Sequence, residues 1–537
     1  MKRLKWNHIV GSLILLLLLG LTLFIKGSTP LWPPLLAIAF LFFTQSAAFS
    51  LFAGALLGSW LLTRSLDFPL VLFSEHFWPS LGSKWHWSAL IFTLMLAIFA
   101  AITERSGALA ALLQKWTNGE NSQKKDSRFQ LSIIALGFAC FFDGLANALM
   151  LGRVGSALAD QARVSREKLS YLVDTTSSAV ACLAFLSTWT VTQLSLITSS
   201  LEGSVLSGPS YLLFLKSIPT NFYCLTSLLL IIFSAMWNWN LPPMSATQAR
   251  PFTKALSKKN LKRPLLTALG PTLILLAAVP LSFWILGSDK LFPSSLNDIQ
   301  LALNTSKGPY ALLLAGGLAI LGAILFFPEN KKFAFKVMPS AVSSTLPALC
   351  ILILAWTLGS TLGALGTGEY LAAALGEDYP LPWLPATVFL LGCLISFSTG
   401  TSWGTMGLLM PIALGTLVSL TERAGLSAAE VGPILPATIG AVFGGAVFGD
   451  HASPFSDTTI ISALACEITT TAHVATQLPF ALVAAACSLL FGYLPLALGA
   501  PTMIAFISAL LSLAIFVSLS RKYFCASPAT ASSPNEE

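Results

Sequence analysis

The residues best suited to chemistry lie in one short stretch near the end of the chain. It reads Gly449-Asp-His-Ala-Ser-Pro-Phe-Ser-Asp-Thr-Thr459 and places two carboxylates, Asp450 and Asp457, seven residues apart inside an apolar run. On an unbroken helix this spacing would put both carboxylates on one face, about 10 Å apart. Pro454 interrupts a helix, however, because it has no N–H to donate. The freed backbone carbonyls, together with Ser453, Ser456 and Thr458, would supply oxygen ligands between the two acids.

Acids and hydroxyls also occur inside three other apolar stretches. Asp143 precedes Asn147 by one helical turn, Asp174 opens a run of hydroxyl residues, and 398–404 is small and hydroxyl-rich. An ionised group deep in a bilayer is costly, so it is rare there and usually functional. We therefore predict one cation- and proton-binding site, with Na⁺ at its four aspartates. Its predicted residues are Asp143, Asn147, Asp174, Thr175, Thr399, Ser402, Asp450, His451, Ser453 and Asp457.

These residue types favour a particular chemistry. Carboxylates, hydroxyls and carbonyls are hard oxygen ligands, which suit a hard cation such as Na⁺. Burial raises the pKa of a carboxyl group, so a buried carboxylate can exchange a proton for a cation near neutral pH. One site with two competing occupants is the basis of a cation/proton antiporter. The structural alternatives are helix capping by Asp174 and Asp457, and close helix packing by the clusters of Ser, Thr and Gly.

The composition indicates which elements must hold these residues. The chain has 537 residues, of which 55% are hydrophobic and only 10% charged. A soluble domain carries about 25% charged residues, so this composition excludes a soluble globule. The apolar runs are continuous and about twenty residues long, enough for a helix to cross the bilayer. We predict an all-α polytopic membrane protein with about twelve transmembrane helices plus two re-entrant hairpins.

The basic residues predict the topology. The net charge is +7, and Lys and Arg collect in the loops 104–128, 153–168, 240–263 and 328–338. Basic loops lie on the cytoplasmic side, which explains the charge without a nucleic-acid partner. Because two basic loops flank the apolar block 129–152, this block should enter and leave the membrane from one side. The result is a multi-pass protein of the cell (inner or plasma) membrane, with a retained first helix at 9–26 and both termini cytoplasmic.

The same order of elements occurs twice, with opposite orientation in the membrane. Cys140-Phe-Phe-Asp-Gly144 and Ser396-Phe-Ser-Thr-Gly400 are faint echoes of each other in the two hairpins. Inverted repeats with discontinuous helices are typical of secondary transporters, whose site lies near the midplane. The predicted organisation is N-terminal helices (1–86), a first repeat (87–239, hairpin 129–152, broken helix 169–198), linking helices (240–338), a second repeat (339–495, hairpin 385–420, broken helix 430–468), and a last helix with a disordered tail (496–537).

Three stretches resemble the NhaC family of Na⁺/H⁺ antiporters, within the ion transporter superfamily. They are 142–147 with its continuation 164–175, then 399–406, and 449–459, and a further echo is 476–480. The resemblance implies sodium/proton antiport by inverted repeats with paired hairpins. Family members often carry a second acid at the position of Gly144 and a cysteine at that of Ala452. With glycine in place of an acid at position 144, we expect a changed ion-to-proton ratio or weaker cation binding.

The cargo stays open at this point. The alternative to Na⁺/H⁺ exchange is a Na⁺- or H⁺-coupled transporter or exchanger of an organic solute, an amino acid or a carboxylate. No Lys or Arg at membrane depth stands out to bind a substrate carboxylate, although helix N-termini at the broken segments could do so.

Other classes of protein find little support in the sequence. Enzyme motifs are missing, and the eight cysteines stand singly, which predicts neither a zinc site nor a disulfide framework. We predict no cofactor beyond the transported Na⁺ and H⁺. The expected partners are the lipid bilayer and these ions, and a homodimer stays open.

Overall fold

The structure, a computed structural model, describes residues 29–44, 46–105, 112–113, 125–249, 265–290, 308–326, 331–376 and 379–524, with the single residues 295, 298 and 302. The predicted first helix at 9–26, both chain termini and the predicted disordered tail lie outside these residues. Within them every regular element is helical. The predicted class, an all-α polytopic membrane protein, is confirmed.

The helices are numbered in chain order. The first half contains α1 (Trp32–Thr44), α2 (Ala47–Thr63), α3 (Phe68–Gly82, with a π-helical turn at Leu72–Phe77), α4 (Lys84–Arg105), α5 (Lys125–Ala139), α6 (Gly144–Ala162), α7 (Arg166–Leu183), α8 (Thr188–Leu201), α9 (Ser210–Ser217) and α10 (Phe222–Met236). The second half contains α11 (Leu265–Gly287), α12 (Gly308–Leu325), α13 (Lys331–Ala364), α14 (Thr367–Leu375), α15 (Leu384–Thr399), α16 (Ser402–Arg423), α17 (Ile434–Ala452), α18 (Asp457–Ala465), α19 (Thr470–Ser488) and α20 (Thr502–Phe524).

Among the described residues, eight helices are long and apolar enough to cross a membrane, or up to eleven if each bent pair is one span. The bent pairs are α2 with α3, at 115°, α7 with α8, at 42°, and α9 with α10, at 51°. Helix α3 was not among the predicted apolar blocks. Its segment contains Glu75 and His76, and these polar residues make it too short of continuous apolar sequence to be predicted as a membrane helix.

Two tight connections join pairs of helices that pack against each other, α5 with α6 and α15 with α16. The first connection is 140–143, and the Asp143 carboxylate ends it by capping α6, accepting a hydrogen bond of 2.8 Å from the Ala146 N–H. The second is short because Gly400 adopts the left-handed conformation, with φ of 68°. Thr401 then caps α16 through a hydrogen bond of 3.1 Å from the Gly404 N–H.

Two spans are interrupted partway. Between α17 and α18, Ser453 is extended, with ψ of 131°, because the residue before a proline avoids the helical region. Between α7 and α8 there is no proline, and the Ser187 hydroxyl restarts the helix by accepting a hydrogen bond of 3.0 Å from the Thr190 N–H. A capping serine therefore marks the break between α7 and α8, whereas a proline causes the break between α17 and α18.

Helix α17 lies at the centre of the molecule, and its whole span is buried. Small residues allow α15 to approach it closely. A Cβ added to Gly445 would lie 2.9 Å from the Gly392 Cα, and one added to Gly449 would lie 2.4 Å from the Ser396 Cβ. Such small-residue contacts are the usual way in which helices associate in membranes. They place Asp450 next to the tip that joins α15 to α16.

Candidate functional site

The tip of the first hairpin meets the break in the first interrupted span. The Thr188 N–H donates a hydrogen bond of 3.0 Å to the Phe142 carbonyl. The Thr188 hydroxyl donates one of 3.2 Å to Asp143 Oδ2. Together with the cap of α6, this occupies both oxygens of Asp143. The contacts of this predicted site residue therefore lie within its own repeat.

The tip of the second hairpin meets the break in the second interrupted span. A Cβ added to Gly400 would lie 2.7 Å from the Phe455 carbonyl carbon, so only glycine fits here. Just beyond the tip, the Ser402 hydroxyl lies beside the Asp450 carboxylate. The two breaks are thus each covered by a hairpin tip.

Asp450 lies in the last turn of α17 and is 2% exposed. Its Oδ1 accepts a hydrogen bond of 3.0 Å from Ser456. Its backbone carbonyl accepts one of 2.6 Å from the Thr459 hydroxyl. Its Oδ2 is buried with no hydrogen-bond partner in the structure. A buried, ionised and incompletely paired carboxylate is strongly unfavourable, so this oxygen requires either a cation or a proton.

Asp174 is a different kind of buried acid. It lies in the middle of α7, and its Oδ1 accepts a hydrogen bond of 3.0 Å from Ser462. Its Oδ2 accepts one of 2.6 Å from the Gln477 amide, and His473 Nε2 lies 3.4 Å from the same oxygen. All three partners belong to the second repeat. Both oxygens of Asp174 are therefore occupied, and this acid joins the two repeats.

His451, next to Asp450, contributes to the same buried cluster. Its Nδ1 lies 2.9 Å from the Tyr223 hydroxyl, and its carbonyl accepts a hydrogen bond of 3.1 Å from Gln477. Its Nε2, the Thr175 hydroxyl and the Gln477 Oε1 are buried without hydrogen-bond partners. All three residues line one cavity of about 10 Å³. That volume is close to the minimum needed for one water molecule.

The other predicted site residues have more local contacts. The Asn147 amide donates hydrogen bonds of 3.1 and 3.3 Å to the carbonyls of Gly137 and Thr176, while its Oδ1 is buried and unpaired. The Thr399 hydroxyl donates to the Ile395 carbonyl at 2.7 Å. The Ser453 hydroxyl accepts from the Phe455 N–H at 3.3 Å.

Asp457 lies at the start of α18 and is exposed. It remains close enough to Asp450 for the two carboxylates to repel each other. Both acids were predicted to lie at membrane depth. In the structure Asp450 is buried within the protein, whereas the Asp457 side chain lies at the protein surface.

The structure adds seven residues that were not among the predicted site residues, including Thr188, which donates to Asp143, and Thr459, which donates to the Asp450 carbonyl. Two of them had signals in the sequence: Ser456 was expected to supply an oxygen ligand between the two acids, and His473 is a histidine in an apolar block. Gln477 falls in the stretch 476–480 that resembles the NhaC family. For the last two we find no signal in the sequence. These are Ser462 and Tyr223.

The structure also reveals a buried cation that the sequence analysis did not single out. Lys168, in the first turn of α7, is 3% exposed. Its ammonium contacts the Ser234 hydroxyl and lies 2.7 Å from Asn240 Oδ1. It also lies 5.3 Å from the ring centre of Tyr171 and 5.7 Å from that of Phe480. Its charge is thus held by neutral oxygens and aromatic rings.

Hairpin tips that cover interrupted spans, with acids buried between them, define the class of protein: an inverted-repeat secondary transporter. Comparison with known families makes this specific. Residues 180–496, more than half of the chain, match the model of the Na⁺/H⁺ antiporter family. The chain belongs to the Na⁺/H⁺ antiporter family, and the NhaC-type resemblance is confirmed.

Three relatives illustrate the range of this similarity. An uncharacterized protein of Haemophilus influenzae is 27% identical over 483 residues, 85% of this chain and 89% of that protein. An uncharacterized Na⁺/H⁺ antiporter of the same species is 33% identical over 162 residues, 28% of this chain and 31% of that protein. The malate-2H⁺/Na⁺-lactate antiporter of Bacillus subtilis is 30% identical over 155 residues, 27% of this chain and 30% of that protein.

Two solved transporter structures share the fold. The YdaH transporter of Alcanivorax borkumensis, described as having an unusual topology, superposes with a TM-score of 0.52 at 15% identity, covering 91% of this chain and 98% of that one. MtrF of Neisseria gonorrhoeae, described with a class of antimetabolite efflux pumps, gives a TM-score of 0.51 at 14% identity, covering 84% and 85%. At these identities the likeness extends to the fold alone.

Proposed function

We propose that this protein exchanges Na⁺ for H⁺ across the cell membrane, with Asp450 as the shared binding residue. The observation that carries the proposal is the buried, unpaired Oδ2 of Asp450. Its neighbours are the hydroxyls of Ser456 and Ser402. Such oxygens suit Na⁺, while a proton would neutralise the same carboxylate.

Exchange follows from the cost of leaving this carboxylate empty. An ionised Asp450 without a partner is unfavourable at this depth, so the protein moves between its two facing states only with Na⁺ or H⁺ bound. The occupants compete for one oxygen, and each can leave only when the other replaces it. A single site at Asp450 is therefore enough to couple Na⁺ movement to H⁺ movement.

The other predicted acids receive distinct roles in this proposal. Asp143 positions the first hairpin tip on the Thr188 end of α8. Asp174 holds the first repeat against α18 and α19. Exposed Asp457, near Asp450, adds negative potential that favours a cation over an anion at the site. In this proposal the loops rich in Lys and Arg face the cytoplasm, and both termini lie on that same side.

The test is ion exchange in proteoliposomes that contain a trapped pH-sensitive dye. Na⁺, Li⁺ or K⁺ is added outside, and the proton movement that follows is recorded. We expect Na⁺ to evoke proton movement with the unaltered protein and with Asp67→Asn, which changes an exposed acid outside the site. We expect none with Asp450→Asn. Full exchange by a folded Asp450→Asn protein would refute the proposal.

Coupled transport of an organic solute is the second candidate. Two observations favour it: one relative is named a malate-2H⁺/Na⁺-lactate antiporter, and a polar cavity of about 760 Å³ opens beside α8 and α16. That volume far exceeds what a cation requires. Uptake of labelled lactate or malate that collapses with the Na⁺ or proton gradient would establish this function, with Asp450 as the site of the coupling ion.

A further inference from the structure

The inverted repeats contain two equivalent interfaces at opposite ends of the molecule. In each, the second helix of one hairpin faces the second part of the other repeat's interrupted span. One interface joins α6 to α18, and the other joins α16 to α8. Because α7 and α8 form one span with a bend of 42°, Arg166 and Glu202 lie towards opposite ends of it. We call the α6–α18 contact the basic-end interface and the α16–α8 contact the acidic-end interface.

The basic-end interface is tightly closed. A Cβ added to Gly152 of α6 would lie 2.5 Å from the Cβ of Ala465 on α18. The Ser156 hydroxyl, one turn further along α6, donates a hydrogen bond of 3.2 Å to the Ala465 carbonyl. At this contact even a methyl group has no room. The two helices are therefore in direct contact at this end.

An ion cluster lies over the closed interface. The Arg166 guanidinium donates two hydrogen bonds of 2.9 Å to the Asp160 carboxylate. It also lies 3.7 Å from a carboxylate oxygen of Glu467. Arg166 and Asp160 belong to the first repeat, whereas Glu467 lies between α18 and α19 of the second. The Arg166 side chain is only 7% exposed, so its charge depends on these partners.

The acidic-end interface is open. A cavity of about 760 Å³ separates the outer part of α8 from the outer part of α16, and neither Lys nor Arg is among the described residues that line it. Its charged lining residues are Glu202, Glu369 and Glu422. Nearer to the hairpin tips the same two helices touch, through rings of Trp189 and Trp403 whose centres are 6.1 Å apart. The cavity therefore ends at this aromatic contact, before the hairpin tips.

We propose that Arg166, Asp160 and Glu467 form a latch that keeps the basic end closed while the acidic end is open. The two interfaces are related by the inverted repeat, so one must open as the other closes if the site is to face one side at a time. Breaking the latch should therefore shift the population towards the state in which the outer parts of α8 and α16 are also in contact. This inference rests on the alternating exchange proposed above.

The experiment measures how accessible the acidic-end interface is when the latch at the other end is altered. Ser199 lies on α8, lines the cavity and is half-buried, so Ser199→Cys reports whether the acidic end is open. Its rate of labelling by a membrane-impermeant maleimide is measured as the increment over the parent protein, which has an exposed Cys350 of its own. We expect Arg166→Gln and Glu467→Gln to lower this rate about twofold or more. Arg166→Lys keeps the charge but loses the paired hydrogen bonds. Its labelling rate should lie between the rates of these two variants and the rate without a latch substitution.

The control is Arg128→Gln, which removes an exposed basic residue near the same end without touching the latch. Glu467 is 64% exposed, so Glu467→Gln tests the latch even where Arg166→Gln fails to fold. Labelling of Ser199→Cys that is the same in Glu467→Gln as in Arg128→Gln would overturn the latch. This readout does not depend on the cargo, so failure of Na⁺/H⁺ exchange in the unaltered protein would leave it interpretable.

Discussion

The side-chain amide of Gln477 donates to Asp174 Oδ2 at 2.6 Å and also to the carbonyl of His451 at 3.1 Å. One amide group thus connects the central acid of the first repeat to the residue that follows Asp450 in the second. The two repeats are held together at the level of the candidate site by a side chain that carries no charge.

Removing this link should destabilise the protein. Gln477→Ala leaves Asp174 without its shortest hydrogen bond, and loss of a buried partner costs about 1–3 kcal/mol. We expect a lower unfolding temperature in detergent for Gln477→Ala than for Gln248→Ala, which removes an exposed amide. Equal unfolding temperatures for the two variants would show that the amide does not hold the repeats together.

The close approach at the second hairpin tip can be tested with a pair of glycines. Gly400 and Gly425 both have positive φ, 68° and 64°, but only at Gly400 would an added Cβ lie close to backbone atoms of another segment. Gly400→Ala should lower stability and abolish exchange, because its methyl group would collide with Phe455. Gly425→Ala carries the same backbone strain of about 1 kcal/mol and should keep exchange. Similar behaviour of the two variants would contradict a functional contact at the tip.

The contact at the first hairpin tip, between Thr188 and Asp143, can also be tested by substitution. Thr188→Val removes the hydroxyl that donates to Asp143, whereas Thr188→Ser keeps it. Because one carboxylate oxygen of the half-buried Asp143 would lose its hydrogen-bond partner, we expect the rate of Na⁺-evoked proton movement to fall about tenfold in Thr188→Val. Thr188→Ser should stay close to the unaltered protein. If the rates of the two variants match, the Asp143 contact has no part in exchange.

Much of the fold follows from local features of the sequence. Apolar runs, paired hairpins and the break at Pro454 depend on residues that are near each other in the chain, and the structure contains an interrupted span at that proline. The position of Asp450 inside an apolar run follows for the same reason, and its side chain is buried in the structure. Local signals could not show that the break exposes Asp457, because that depends on the direction in which the chain leaves Pro454.

The partners of the site residues were less accessible to prediction. Asp174 contacts Ser462, His473 and Gln477, which are 288 to 303 residues away in the chain. Arg166 contacts Glu467 across a similar separation. Such pairings arise only when the two repeats pack together. A single sequence therefore shows which acids lie inside apolar runs, but not which of them already have hydrogen-bond partners.

The central claim is that Na⁺ and H⁺ compete for Asp450, and direct binding tests it most sharply. Purified protein in weakly buffered detergent solution is titrated with Na⁺, while a pH electrode records released protons and radiolabelled Na⁺ records binding. We expect Na⁺ binding to release protons, to weaken as the pH falls, and to disappear in Asp450→Asn but not in Asp67→Asn. Binding of Na⁺ without proton release, or unchanged binding by a folded Asp450→Asn protein, would contradict the claim.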